Sequence, residues 1–320
     1  MRRRTFMAAS LGVISGCRTG DLYTGAAQAF GTTISVTLFH ADRRQAEPGI
    51  AEALAQACKV DRLMSIYNPD SEVFRLNRDG MLFDPDPHLL AVLEQARALS
   101  ELSKGAFDIT VQPLWRAFRE AAGMNGRPAR AEHLKASSRV NWERVAVSAE
   151  RVAFQKAGMA ITLNGLAQGY GADLAMAALR ARGIGNALVD VGEFSAAGSK
   201  PGPQPWTLGI ADPRQPGALA ATLHMDGRSV ATSGDYECTF TPDFVHHHIF
   251  DPKTGESPQE LASVTVLAPT CMLADGLSTA FMVMGERKAH AMAATLPGVD
   301  LVTINKRGVV WKSPGFPAAA

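Results

Sequence analysis

Three consecutive histidines, His246, His247 and His248, stand in the stretch VHHHIFDPKTGESP at 245–258. Imidazole takes up a proton near neutral pH more readily than any other side chain, and it is also a common metal ligand. Neighbours on an extended chain point to opposite faces, so three in a row do not reach one tetrahedral ion without a kink. The cysteines, at 17, 58, 238 and 271, form no CxxC pair to complete a zinc site. The pattern favours one imidazole facing a cleft. On a strand, His246 and His248 share one side and His247 takes the other.

Oxygen donors come elsewhere. In LADGLSTAF (273–281), Asp275 and Thr279 lie one helical turn apart on a common face. A carboxylate and a hydroxyl so placed are hard ligands, suited to a Mg²⁺ ion that keeps other positions for phosphate and water. In LNGLAQGYGAD (163–173), Gly165, Gly169 and Gly171 mark a turn leading into a helix. Backbone N–H groups at such a junction can bind phosphate. The spacing is neither the dinucleotide fingerprint nor a P-loop. Asp108, between Phe107 and Ile109 in GAFDITVQPLW, needs a buried partner or else caps a local turn. Tyr67 can stack on a ring or sit at a core rim, and Ser71-Glu72 reads as a helix start.

Several elements must position these groups. TTISVTLF (32–39) alternates as a strand, and 47–63 reads as a helix with Pro48 near its start. Residues 88–105 form a second helix stopped by Gly105. Short strands and turns are expected over 125–160, then a helix over 165–183 and a strand over 186–192. Strands follow at 206–213 and 221–225, then the SVATSGDY segment (229–236), strands at HHIF (247–250) and 263–269, and a helix at 272–285. Many strands lack a crossover helix between them. That order favours an α+β fold of mixed, largely antiparallel sheets with packed helices, as one large domain or two intimately associated lobes.

With 46% apolar and 20% charged residues the chain has the composition of a globular enzyme, and its net charge of +1 argues against nucleic acid as a partner. The start, MRRRTFMAASLGVISGC, runs from basic through apolar to small residues, the layout of a bacterial export signal. Arg3-Arg4-Thr5-Phe6-Met7 resembles the twin-arginine pattern, and Ile14-Ser15-Gly16-Cys17 resembles a lipobox with Cys17 as the lipidated residue. The expected organisation is a signal over 1–17 and a single domain over 18–320, located in the periplasm. Cys58, Cys238 and Cys271 are then an odd number, so a full disulfide framework is not expected.

Taken in order, FGTTISV, MSIYNPDSEVFRLN, GAFDITVQPL, LNGLAQGYGADLAMAAL, VDVGE, VATSGDYE, HHIFDPKTG and SVTVLAPTCMLADGLSTAFMVMG resemble the ApbE family of FAD:protein FMN transferases, from about residue 30 to 285. The resemblance implies an exported α+β protein that binds FAD between two lobes. It implies cleavage of the FAD pyrophosphate, attachment of FMN to a threonine hydroxyl of a target protein, and release of AMP. It places flavin contacts at Met64, Tyr67, Asp108, Gly165, Ala167, Gln168, Gly169, Glu193, Ser233, Asp235 and His248. Mg²⁺ falls to Asp275, Thr279 and the Ala167 carbonyl. His248, directly before Ile249-Phe250-Asp251-Pro252, matches the family's histidine, and with Asp275 it forms the expected catalytic pair.

The family commonly reads GGIAKGY and NxGGD, where this chain has Asn164-Gly165-Leu166-Ala167-Gln168-Gly169-Tyr170 and Asp190-Val191-Gly192-Glu193. Gln168 removes a cation from beside the bound flavin or phosphate. These variants resemble the NosX-like branch tied to nitrous-oxide respiration, whose target is a membrane-bound, periplasm-facing flavoprotein (NosR-like). Two rival readings share the site: an FAD pyrophosphatase using water as acceptor, and a non-catalytic FAD-binding assembly factor.

Overall fold

The computed structural model describes residues 20–123, 126–202 and 204–317. The expected signal, including Arg3, Arg4 and Cys17, lies outside them.

Strand β1 (Asp21–Ala29) pairs along its whole length with β2 (Thr32–His40), and the turn between them is made by Phe30 and Gly31, both at positive φ. Helix α1 (Arg43–Met64) follows. It starts ahead of the expected residue 47, because the Asp42 side chain caps it by accepting from the Arg44 N–H. Pro48 therefore lies inside the helix. The short helix α2 (Glu72–Asp79) is capped by Ser71, whose hydroxyl accepts from the Phe74 N–H at 2.9 Å, as the Ser-Glu pair predicted. Then come β3 (Met81–Phe83), α3 (Pro87–Leu102), α4 (Gln112–Ala121), α5 (Arg130–Ser137), β4 (Val145–Val147) and β5 (Arg151–Phe154). Gly105, at φ 76°, closes α3 by donating its N–H to the Ser100 carbonyl at 2.8 Å. The charged helix α5 interrupts a region expected to hold only strands and turns.

The rest of the chain supplies α6 (Ala167–Ala181), β6 (Ala187–Asp190), β7 (Phe194–Ala197), β8 (Thr207–Ala211), β9 (Leu219–His224), β10 (Ser229–Gly234), β11 (Leu261–Ala268), α7 (Cys271–Met284), α8 (Glu286–Ala293), β12 (Asp300–Asn305) and β13 (Val310–Lys312). Strands β1-β2-β6-β7-β10-β11-β12-β13 form one sheet, β3-β5-β4 a second and β8-β9 a hairpin. Every registered strand pair among the described residues is antiparallel, so the α+β expectation holds. The stretch HHIF is not a strand. It makes only an isolated bridge, between His247 and Thr239.

β11 is buried at every position, which its near-continuous apolar run requires. Helix α7 packs on it, and the apolar cluster there takes in α3, Leu82 and Val152 of the small sheet, and Leu166 before α6. A second cluster joins α1 and α6 to β2 and β6. Each fully buried Leu, Ile or Val in these layers contributes roughly 1.5–3 kcal/mol. The two helical layers meet where α6 touches α7. A Cβ on Gly169 would stand 2.5 Å from the Cys271 carbonyl oxygen, so only glycine admits this approach. Asp173, one turn on, accepts from the Cys271 and Met272 N–H groups at 2.8 and 2.9 Å and so caps α7 from outside.

Candidate active site

A cleft of about 230 Å³ opens where four segments meet. They are the loop before α4, the loop before α6, the end of β10, and the face of α7 that carries Asp275 and Thr279, with His248, Ile249 and Phe250 closing one wall. Pockets that enclose a drug-sized ligand whole usually measure ~300–1,000 Å³, so a larger ligand must lie partly along the open mouth.

The lining brings together Asp108, Gly165, Gln168, Glu193, Ser233, His248, Asp275 and Thr279 from the sequence expectations. The Gly169 N–H, at the start of α6, donates to Asp275 Oδ2 at 3.1 Å. One turn along α7, Thr279 Oγ1 lies 3.2 Å from Ser233 Oγ, which also bonds Ser278 Oγ at 2.7 Å. A Cβ on Gly165 would stand 3.0 Å from Thr279 Oγ1, so the missing side chain keeps that hydroxyl approachable. Gln168 donates from Nε2 to the Val191 carbonyl at 2.8 Å, and Glu193 Oε2 accepts from the Thr232 N–H at 3.0 Å.

Asp108 lines the cleft but its oxygens are engaged by protein. Oδ1 accepts from the Thr110 N–H and hydroxyl at 2.7 and 2.6 Å, and Oδ2 from the Trp142 N–H at 3.1 Å. Burial raises its pKa, against the lowering effect of those bonds. The turn-cap alternative describes this contact set.

Five expected residues stand elsewhere. Met64 is buried in the core at the end of α1, because the helical spacing of α1 turns it inward with Val60. Tyr67 is 61% exposed and meets Trp115 edge-on, with centroids 6.4 Å apart. It stands beside the lining residue Trp115 rather than in the wall. Asp235 is fully buried and turned away from the cleft into an ion pair with Arg214. Ala167 and Gly169 form the first turn of α6 behind the lining. Sequence reasoning passed over Glu237 and Trp115, both in the wall. Each lay inside a quoted motif or next to one, and nothing in local spacing set it apart.

The three histidines have different surroundings, and the segment is no strand. His248 lines the cleft, and its ring Nδ1 faces the Cys238 carbonyl at 3.3 Å. A carbonyl only accepts, so Nδ1 carries the hydrogen and Nε2 the lone pair in the neutral ring. His247 is fully buried and donates from Nε2 to the Pro258 carbonyl at 3.1 Å. Burial lowers its pKa to about 3, so it stays neutral. His246 packs against Phe118, with Nδ1 3.7 Å from Glu256 Oε2.

Asp108, Glu193, Glu237 and Asp275 put four carboxylates in the wall, and among the described lining residues there is no Lys or Arg. No three or more His, Cys, Asp and Glu side chains cluster as a metal cage among the described residues. A single carboxylate with a nearby hydroxyl instead fits a small hard cation that completes its shell with water and ligand phosphate. The arrangement is that of an enzyme cleft for a phosphate-bearing ligand: a basic imidazole nitrogen, a hard-oxygen pair and a glycine-lined approach.

A sequence profile of the ApbE family matches residues 30–303, and the chain belongs to that family. It is 31% identical to the FAD:protein FMN transferase of Vibrio cholerae over 92% of this chain and 91% of that one. It is 33% identical to the protein of the same name from Haemophilus influenzae, over 79% and 78% of the two chains. The crystal structure of the ApbE protein from Thermotoga maritima superposes with a TM-score of 0.81 at 29% identity, covering 92% of this chain and 97% of its own.

Proposed function

We propose that this protein is an FAD:protein FMN transferase that moves FMN from FAD onto a threonine hydroxyl of a periplasm-facing, membrane-bound protein and releases AMP. The observation that carries the proposal is that His248, Asp275 and Thr279 line one cleft in a chain of this family. The acceptor hydroxyl approaches His248, whose Nε2 takes the proton as the oxygen bonds to the phosphorus that carries FMN. The bond from that phosphorus to the bridging oxygen breaks, and AMP leaves with the bridging oxygen. Asp275 and Thr279 are the lining residues that would hold Mg²⁺, which when bound supplies positive charge against the pyrophosphate. Catalysis of this type is largely positioning and electrostatics.

Gln168 and Glu193 support a target in nitrous-oxide respiration, of the NosR-like kind, since these are the positions where the chain resembles that branch. The basic and apolar start supports twin-arginine export with Cys17 as a lipid anchor. Incubation with FAD, Mg²⁺ and a threonine-bearing fragment of such a target is the test. Flavin covalently attached to the fragment, with AMP released, is the expected result. Free FMN and AMP alone would make the protein a pyrophosphatase, and intact bound FAD would make it a binding factor.

A further inference from the structure

His248 is oriented by a segment that is itself held from outside. Beyond Gly234 the chain leaves β10, bends at 241–245 and returns to the cleft. Its two arms are joined by the Phe240 N–H donating to the His246 carbonyl at 2.8 Å and the His248 N–H donating to the Cys238 carbonyl at 3.0 Å. The Cys238 carbonyl also receives the His248 ring Nδ1. Whatever fixes the Cys238 arm therefore fixes the tautomer and the direction of the imidazole.

The root of that arm is Asp235, which is fully buried. Its two oxygens receive parallel bonds from Arg214, Nη1 to Oδ1 at 2.8 Å and Nη2 to Oδ2 at 2.7 Å. Arg214 belongs to a different element, the turn joining β8 to β9, where Asp212 Oδ1 accepts from its N–H at 2.8 Å. The bend is tied down as well. Lys306, from the turn joining β12 to β13, donates to the Phe244 carbonyl at 2.7 Å and lies 3.7 Å from Asp235 Oδ2. The Arg214 guanidinium covers the Phe244 ring at 4.4 Å from its centroid. Phe244 has φ 61°, a conformation that a bulky residue holds only when its surroundings impose it.

Asp235 thus sits between Gly234 and Glu237 of the cleft wall yet is turned to the far side. Compared with an apolar pair of the same volume, a buried ion pair adds little net stability, so its effect lies in the geometry it sets. The planar guanidinium fork fixes direction as well as distance, which a lysine does not.

We propose that Arg214 is a positioning residue for His248. Through its fork on Asp235, and together with Lys306 at Phe244, it sets the Cys238 carbonyl that holds the His248 ring as the Nδ1–H tautomer. The catalytic consequence rests on the reading of His248 as the base, whereas the structural coupling does not.

The test combines ¹⁵N NMR of ring-labelled histidine with transfer kinetics on a fixed threonine peptide, with FAD varied up to saturation at saturating Mg²⁺. His248 is assigned by the signal lost in His248→Gln. In the wild type, His248 is expected as the Nδ1–H tautomer. Arg214→Gln should give a mixture of tautomers and about 10²-fold lower kcat, the scale on which a small misplacement acts. The KM for FAD should stay within about twofold, because the lost interaction does not touch FAD. Arg214→Lys, which keeps the charge without the fork, should fall between. A folded Arg214→Gln protein with the wild-type tautomer and kcat overturns the proposal. If that variant does not fold, the same result in Arg214→Lys overturns it. Should the wild type transfer no flavin, the base assignment falls, and the tautomer shift alone decides whether Arg214 governs His248.

Discussion

The Gly169 N–H donates to the Asp275 carboxylate at 3.1 Å across 106 residues of sequence. This bond joins the glycine-rich turn to the Asp-Thr helix and places the start of α6 against the hard-oxygen pair. Helix N-termini favour negative charge, so the contact places this carboxylate where the start of α6 complements it.

Asp275→Ala is expected to lower flavin transfer by at least ~10²-fold, the scale seen when one preorganised electrostatic group is removed. Thr279→Ala should be milder, because water can replace a neutral hydroxyl ligand. Isothermal titration of Mg²⁺ in the presence of FAD, alongside transfer rates, checks both. Full Mg²⁺-dependent activity in Asp275→Ala would show that the carboxylate holds no ion.

Gly169→Ala should destabilise the protein by about 1–3 kcal/mol, the usual cost of forcing a group into a packed site. The added Cβ would stand 2.5 Å from the Cys271 oxygen and 2.8 Å from Met272 Cα, which are backbone atoms with little freedom to yield. A melting temperature several degrees lower by calorimetry is the expected outcome. An unchanged one means that α6 and α7 can move apart without cost.

Among the histidines, His248→Ala should lose about 10²- to 10⁴-fold in single-turnover transfer while still binding FAD. His246→Ala should transfer nearly normally. If the His248 variant transfers at the wild-type rate, the proton goes to another group.

His247 makes a different, pH-dependent contribution. Burial holds its folded pKa near 3, below the usual 6.5, so the unfolded chain binds the additional proton between those values. Its contribution is therefore complete above about pH 6.5 and lost progressively as pH falls toward 3, with a slope of up to about 1.4 kcal/mol per pH unit. Urea midpoints measured from pH 7 to pH 4 should fall less steeply in His247→Gln than in the wild type. Parallel slopes in the two proteins would contradict the buried neutral ring.

Replacing Arg3 and Arg4 by lysine should leave precursor in the cytoplasm, and Cys17→Ser should release the exported protein from membranes. Fractionation and the mass of the mature N-terminus read both outcomes. Unchanged periplasmic yield after the arginine changes would point to the general secretion route.

What the amino-acid sequence determined by itself is the part of the protein that depends on near neighbours. Ser71 caps α2, Gly105 ends α3, and the apolar run of β11 demands burial, each for reasons contained within a few residues. The short motifs, in their order, carried the family and the likeness of His248, Asp275 and Thr279 to its working residues. Strand β1, with its small and polar side chains, and the short helix α8 escaped notice because pairing and packing, rather than periodicity, stabilise them. Tertiary structure alone decided which motif residues face the cleft. Met64 turned inward with its helix, Asp108 lines the cleft with its oxygens held by Thr110 and Trp142, and Asp235 was claimed by Arg214 from another turn. The physical reason is that a polar side chain serves whichever partner can satisfy it at hydrogen-bond distance once water is excluded. For Asp235 with Arg214 and Asp108 with Trp142, partners distant along the chain come within reach only after the sheet and helices have closed around them.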